Sequence, residues 1–305
     1  MQLAVSTYSL SRWRTANRKS LEQSLEQIAR LDVKAVEFSG IDATQGDNQI
    51  RRAASLRRPC EKLGLRVVGY CIGAELLFPA KKQRAVIDRL KLQADVAAEL
   101  GTSKLRHDIT GGFNAYPGYR GPKTFAAALK IVVPAIREVA DYASTQGIGT
   151  SLENHGFFMQ ASKRVERLIR TVNHWSFGLT MDMGNFLWVN EEPVQAVRRL
   201  DSYAVHVHVK DFHVKPKKQA PASGWFATPI AIALRGAIVG HGEIDVPAQL
   251  RILTWAGYQG CLSLEFEGIE EPIEAVEMGL VFLRQHLAAL KTRTRHSATR
   301  CRSIT

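Results

Sequence analysis

The sequence predicts a parallel eight-stranded α/β barrel, a (β/α)8 fold. Three observations carry this prediction. Short apolar runs alternate with longer helical patterns eight times along the chain. No glycine-rich phosphate loop follows the first run, where Ser6-Thr7-Tyr8-Ser9-Leu10 stands instead, which disfavours an open doubly wound sheet. Four of the later runs end in acids and histidines, and barrel active sites gather at the C-terminal ends of the strands.

The units follow in order. Gln2 to Val5 is the first strand, and Leu21, Leu25, Ile28, Ala29 and Leu31 recur at helical spacing after it. Ala35-Val36-Glu37-Phe38 is the second strand, and the helix Arg51 to Leu63 stops at Gly64. Leu65 to Cys71 is a β-branched third strand, and Gln83 to Leu100 is a helix ended by Gly101. Lys104 to Ile109 is the fourth strand. The helix Phe125 to Gln146 contains Pro134, which predicts a kink or a break there. Strand five ends at Glu153 and is followed by a helix from Val165 to Val172. Phe177 to Met181 and a helix Val194 to Leu200 form the sixth unit. Ala204 to Val209 is strand seven, Val246 to Trp255 the next helix, Cys261 to Phe266 strand eight, and Ile273 to Leu290 the last helix.

Between Asp211 and Asp245 no clear helix or strand emerges until Pro229. A long βα connection of this kind reads as a lid or binding loop at the barrel mouth. The expected organisation is one barrel domain over residues 1–290, then a basic, disordered tail over 291–305.

With 305 residues and 45% hydrophobic content the chain can bury one large core. The formal net charge is +12, of which Lys291, Arg293, Arg295, Arg300 and Arg302 contribute five in the tail. A basic surface can attract phosphates or nucleic acid, although a solvated face accounts for it as simply. The four cysteines form no C-x-x-C pair, and two lie in apolar strands, which fits a reducing compartment. No signal peptide and no apolar run of membrane-spanning length is visible, so the expected location is cytoplasmic.

The chemistry sits at four strand ends. These read Glu153-Asn154-His155-Gly156, Asp182-Met183-Gly184-Asn185, His206-Val207-His208-Val209-Lys210-Asp211 and Glu265-Phe266-Glu267-Gly268. In a barrel they are neighbours on one rim. A single strand-end acid usually does no more than make a salt bridge, but four consecutive strands ending this way point to a metal. Three carboxylates with one imidazole would repel one another without a divalent cation, and this oxygen and nitrogen set suits Mn2+, Mg2+, Co2+ or Zn2+.

The motifs E-N-H-G, D-x-G-N, H-V-H-x-K-D, G-H-G-E-I-D and L-S-L-E-F-E resemble those of the xylose-isomerase-like barrels. More narrowly, the chain resembles the sugar-phosphate isomerase/epimerase family, which includes ketose 3-epimerases, hydroxypyruvate isomerases and inosose dehydratases. The resemblance spans roughly residues 1–290, with its specific motifs from Glu153 onward. It implies Glu153, Asp182, His208 and Glu265 as ligands of one divalent ion, Mn2+ foremost. It also implies Glu153 and Glu265 as the catalytic carboxylates, which move a proton beside a carbonyl through an enediolate. The strand period does not separate His206 from His208, because residues two apart share a face. Candidates for substrate contact are His155, Asn185, Lys210, Arg106, His107 and Trp225.

The expected activity is therefore that of a metal-dependent sugar isomerase or epimerase acting on a small sugar or polyol, either as one chain or as a homo-oligomer. An inosose or keto-sugar dehydratase is the alternative on the same site. Two positions depart from the ketose 3-epimerase pattern: Asn185 replaces a histidine, and no arginine follows His208 closely. The rivals of another class are an apurinic endonuclease and a non-catalytic binding subunit. The first would use the basic surface but lacks the extra histidines for three zinc ions.

Overall fold

The computed structural model describes residues 1–43, 47–229 and 231–302, the side chains of 47 and 291–302 excepted. In chain order its elements are β1 (Gln2–Ser6), α1 (Ser11–Ala16), α2 (Leu21–Arg30), β2 (Ala35–Ser39), α3 (Asp47–Leu63), β3 (Arg66–Ile72), α4 (Ala80–Leu100) and β4 (Lys104–His107). Next come α5 (Phe125–Thr145), β5 (Gly149–Glu153), α6 (Ser162–Val172), β6 (Phe177–Asp182), α7 (Pro193–Leu200) and β7 (Ala204–Val209). The chain then forms β8 (Asp211–Pro216), β9 (Phe226–Ala227), β10 (Ile232–Ala237), α8 (Val246–Trp255), β11 (Cys261–Leu264) and α9 (Pro272–Arg302).

Eight of the strands close into a parallel barrel in the order β1-β11-β7-β6-β5-β4-β3-β2. Closure is made by β1 and β11, with Gln2 opposite Cys261 and Val5 opposite Leu264. The main core lies where the apolar faces of the helices meet the outer face of the barrel, as around Leu25, Ile28, Leu90, Val132, Ile136, Leu168 and Leu253. A fully buried Leu, Ile or Val contributes about 1.5–3 kcal/mol, and this layer holds the strands whose ends carry the polar residues.

Local signals explain the helix limits. Ser20 and Gln23 make a reciprocal capping box at the start of α2. Gly101, at φ 82°, ends α4 in the left-handed conformation that glycine adopts at low cost. Helix α5 runs through Pro134 without a break, so of the expected kink or break the break does not occur. An interior proline costs about 3 kcal/mol, and the flanking Val132, Val133, Ala135 and Ile136 are all buried against the barrel, which offsets it.

The segment after β7 differs from the sequence expectation. It is not an irregular loop but a three-stranded antiparallel sheet in the order β8-β10-β9, with Phe212 opposite Gly236 and Val214 opposite Leu234. Its strands are short and partly solvated, so the alternation that marks a buried strand is weak. The base of this ribbon is anchored. Asp211 accepts backbone hydrogen bonds from Phe212, Gly240, Gly242 and Ile244 at 2.8–3.2 Å. Gly236 also bridges Gly268 beyond β11, where a Cβ at residue 236 would lie 2.5 Å from the Glu267 backbone.

Helix α9 continues past the Leu290 end read from the sequence, to Arg302. The side chains of the basic tail and residues 303–305 lie outside the described residues. Among the described residues no helix is long and apolar enough to cross a membrane.

Candidate functional site

The C-terminal rim assembles most of the residues that the sequence singled out. Asp182 and His208 are register partners across β6 and β7, and Ser263 of β11 pairs with His208 on its other side. Glu153 ends β5 beside them. Ligand atoms of Glu153, Asp182 and His208 all lie within 4.8 Å of one another, and all three residues are buried. Glu265 stands at the edge of this group, its Oε1 3.6 Å from His208 Nδ1.

Each side chain is held by a specific partner. Glu153 Oε2 meets Arg106 at 2.7 Å, and Glu153 Oε1 accepts a hydrogen bond from Asn185 Nδ2 at 2.9 Å. Asp182 Oδ1 accepts the backbone N–H groups of Gly184 and Asn185, both at 2.8 Å. Lys210 Nζ lies 3.3 Å from Asp182 Oδ2, 3.1 Å from Glu265 Oε2 and 3.6 Å from Glu267 Oε2. Arg106 also reaches Asp108 at 2.9 Å, and His155 approaches the same carboxylate at 3.4 Å.

Sequence reasoning missed Glu37. It is fully buried on β2, and His208 Nε2 lies 3.0 Å from its Oε1. His206 Nε2 sits 2.5 Å from Glu37 Oε2 and 2.9 Å from Ser263 Oγ. A carboxylate on Nε2 fixes the tautomer of His208 and leaves Nδ1 to face Glu153 and Glu265. This divides two histidines that the strand period left equivalent: His208 reaches the rim carboxylates, and His206 lies deeper, on Glu37 and Ser263. The β2–β3 register shifts at Val36/Glu37, and Gly69 opposite leaves room for the carboxylate, since a Cβ there would lie 3.1 Å from Glu37 Oε2. The available signal was a glutamate in the middle of an otherwise apolar strand.

The electrostatics follow from burial and this pairing. Burial alone raises the Glu153 carboxyl, but Arg106, His208 and Lys210 outweigh it and hold the group well below its usual range. Burial lifts Asp182 to about 6, against the pull of Lys210 and with added repulsion from Glu153 and Glu265. Burial lowers His208, yet Glu265, Glu37 and Glu153 together raise it well above its usual value. The cluster therefore gathers protons where a cation would otherwise compensate the carboxylates.

These residues fit a divalent ion. Asp182 Oδ2 and His208 Nδ1 are buried and, among the described residues, have only ion-pair neighbours without hydrogen-bond geometry, the nearest being Lys210 Nζ at 3.3 Å and Glu153 Oε2 at 3.4 Å respectively. Both belong to the group that converges with Glu153. Unpaired buried acceptors are costly unless something satisfies them, and an imidazole nitrogen with carboxylate oxygens is a donor set for Mn2+, Mg2+ or Zn2+.

A cavity of about 230 Å3 opens beside the cluster, lined by His155, Gly156, Phe157, Gln160, Asn185, Trp188, Lys210 and Glu267. It brings His155, Asn185 and Lys210 together. Arg106 lies deeper, on Glu153. His107 points to the other face of β4, where its Nδ1 meets the Asp108 carbonyl at 2.9 Å and burial lowers its pKa to about 4. Trp225 lies between Lys215 and Arg235, whose charges sit 5.4 and 5.6 Å from its ring, and does not line the cavity. Phe226 beside it is the ribbon residue that reaches the rim, 5.7 Å from the Trp188 ring. Asp211 is occupied with the ribbon base and does not pair with Lys210.

The model of one protein family, described as xylose isomerase-like TIM barrel, matches residues 25–286. The chain belongs to the xylose isomerase-like TIM barrels.

Among curated proteins, this barrel is 26% identical to the rhizopine catabolism protein MocC of Rhizobium meliloti, over 84% of this chain and 76% of that one. It is 20% identical to an inosose dehydratase of Clostridium botulinum, over 87% and 89%. Among solved structures, an L-ribulose 3-epimerase superposes with a TM-score of 0.71 at 16% identity, covering 97% of each chain. The IOLI protein with a bound zinc atom does so with a TM-score of 0.71 at 16% identity, covering 95% of this chain and 99% of that one. At these identities the structural likeness speaks for the fold.

Proposed function

We propose that this barrel is a divalent-metal-dependent enzyme that moves a proton beside the carbonyl of a keto-sugar or related polyol, as an isomerase or epimerase. One observation carries the reading: Glu153, Asp182 and His208 converge beside a cavity open at the barrel rim, with Asp182 Oδ2 and His208 Nδ1 buried without a hydrogen-bond partner among the described residues. Glu265 completes the ligand set, and Mn2+ is the first candidate, with Mg2+, Co2+ and Zn2+ as alternatives. When bound, the ion supplies Lewis acidity that makes the C–H beside a substrate carbonyl more acidic.

The chain's own groups divide the remaining work. Glu153 is kept ionised and oriented by Arg106 and Asn185, which suits a base of fixed geometry. Glu265 offers a second carboxylate across His208, held by Lys210. Two such groups can remove and return a proton on different faces of a planar intermediate. His155, Asn185 and Lys210 line the cavity and are placed to bind hydroxyl groups.

Dehydration is the second reading, and Lys210 favours it. Its ammonium stands among three carboxylates at the cavity wall, which hold its proton in place, so that it can stabilise the developing charge of a departing hydroxyl through a hydrogen bond. The inosose dehydratase among the relatives supports the same outcome. The test is deuterium wash-in from heavy water, with keto-sugars and inososes offered to the Mn2+-loaded protein. Exchange beside the carbonyl is expected, and a new ultraviolet absorbance from a conjugated product would assign dehydration. Absence of exchange with every ketone would sink both readings.

A further inference from the structure

A second cavity lies at the opposite end of the barrel, at the starts of β4, β5, β6 and β7. It measures about 350 Å3, against about 230 Å3 at the rim. No group assigned to the proton transfer lines it. Ile148, Phe177 and Val205 supply apolar surface, and Trp175 stands in the wall, 84% exposed. The indole stacks on His174, with the rings 5.9 Å apart and inclined by 25°. His174 is fixed in turn by Asp141 at 3.1 Å and by the Ser176 N–H, which donates to its Nδ1 at 3.2 Å. An exposed tryptophan held in place beside an apolar hollow is the usual lining of a ligand pocket.

One charged side chain lines the cavity. Lys104 Nζ donates to the Val205 carbonyl at 2.5 Å, and among the described residues it forms no ion pair with a carboxylate. Burial lowers its pKa and Arg66 adds to the effect, against the opposing pull of Cys261 and Glu37. The ammonium is thus stripped of much of its water without a counter-charge in exchange, an arrangement that costs stability unless something compensates it. The backbone also keeps the space open. Gly147 needs its glycine for a φ of 73°, but Gly149 has no such need. A Cβ at Gly149 would meet only the Ser103 and Ser176 carbonyls, both at 3.7 Å, which is ordinary contact. A side chain there would fit and would take up part of the cavity, and the chain leaves that room unfilled.

We propose that this cavity is a second ligand site, one that takes a small aromatic monocarboxylate with its carboxylate on Lys104 and its ring on Trp175. The carboxylate supplies the counter-charge that the fold withholds from Lys104, through a charge-assisted hydrogen bond of about twice the strength of a neutral one. The flat ring covers the indole and the apolar lining, and aromatic pairs gain about 0.5–1.5 kcal/mol beyond the area that they bury. A phosphate or a dicarboxylate would bring two charges to one ammonium, and a polyol would find few partners on Ile148, Phe177 and Val205. This site is independent of the proton-transfer reading.

The test is titration calorimetry of the full chain with 2-naphthoate, its neutral relative 2-naphthamide and the alicyclic cyclohexanecarboxylate. The first should bind at one site per chain with a Kd below about 1 mM, and the other two about tenfold or more weakly. Lys104→Met should weaken 2-naphthoate about tenfold and leave 2-naphthamide nearly unchanged. Trp175→Leu should weaken 2-naphthoate about fivefold, and its exposed position spares the fold even where the lysine variant does not fold. The affinity should be the same with and without Mn2+, because the candidate metal ligands stand at the other end of the barrel. No binding of 2-naphthoate, equal binding of the amide, or an affinity untouched in Trp175→Leu would overturn the proposal. Binding that requires Mn2+ would place the carboxylate at the rim and overturn it as well.

Discussion

The two ends of the barrel solve the packing of one lumen in opposite ways. At the N-terminal end, Ala4, Ala35, Val68 and Cys261 form a buried cluster of small and β-branched side chains. A cavity of about 350 Å3 at the starts of β4, β5, β6 and β7 is lined by Ile148, Thr150, Phe177, Val205 and Lys104, whose ammonium donates to the Val205 carbonyl at 2.5 Å. At the C-terminal end the lumen holds Glu37, Glu153, Asp182, Glu265, Arg106 and Lys210, with several polar atoms left unpartnered. Burying charges costs several kcal/mol each unless they are well paired. Lys104 carries a part of that cost at the N-terminal end, but the fully buried charges gather at the C-terminal end, which marks it as the end shaped by chemistry and the other as the end shaped by stability.

The largest test of this contrast is His208→Ala. It should weaken Mn2+ binding by more than about 100-fold, beyond the range expected for a supporting residue, and abolish proton exchange. Elemental analysis and competition with a chelating dye would check it, and unchanged metal content would remove His208 from the ligand set. Glu37→Gln should cost about 10–100-fold in metal affinity through loss of the carboxylate on His208 Nε2, and the thermal midpoint of the metal-free protein should fall, because the buried imidazoles lose the carboxylate that pairs with them. An unaltered affinity would reduce Glu37 to a packing residue.

A smaller effect concerns pH. Asp182 titrates near 6 in the folded chain, against an ordinary 3.8. Between those values the folded state binds the extra proton, so Asp182 lowers the stability of the metal-free protein as pH rises from about 4 to about 6. Glu153 and Glu37 are shifted the other way, and their contribution is lost on acidification below the usual glutamate range. Urea unfolding of the metal-free parent and of Asp182→Asn at about pH 4.5 and pH 6.5 separates these terms. The variant should gain relative to the parent at the higher pH; the same pH difference in both proteins would refute the assignment.

The smallest effect belongs to the other end. Trp175 is 84% exposed at the N-terminal cavity. Trp175→Ala should change stability by no more than about 0.5 kcal/mol, as surface substitutions usually do, with metal content and exchange untouched. Loss of activity there would break the division between the two ends.

The sequence alone determined the repeating units and the strand ends, because both are local. Period-two and helical patterns report which face of an element is apolar, and Glu153, Asp182, His208 and Glu265 each close an apolar run. It also showed that Pro134 lies in a helix, but not that the buried flanks would carry the helix through it. Tertiary structure decided what meets across the lumen. Glu37 and His208 are 171 residues apart and touch only because β1 pairs with β11 and closes the barrel. Pairing of neighbouring strands set Arg106 of β4 on Glu153 of β5, and Lys210 after β7 among Asp182, Glu265 and Glu267. The ribbon after β7 hid for a related reason: its strands gain order from Asp211 and from Gly236 against Gly268, contacts that no local pattern records. Phe157, not Trp225, lines the cavity because one side-chain amide, that of Gln160, holds its backbone at positive φ. Alternation along a strand tells which way a side chain faces, and the partner it finds there depends on strands that the chain supplies much earlier or later.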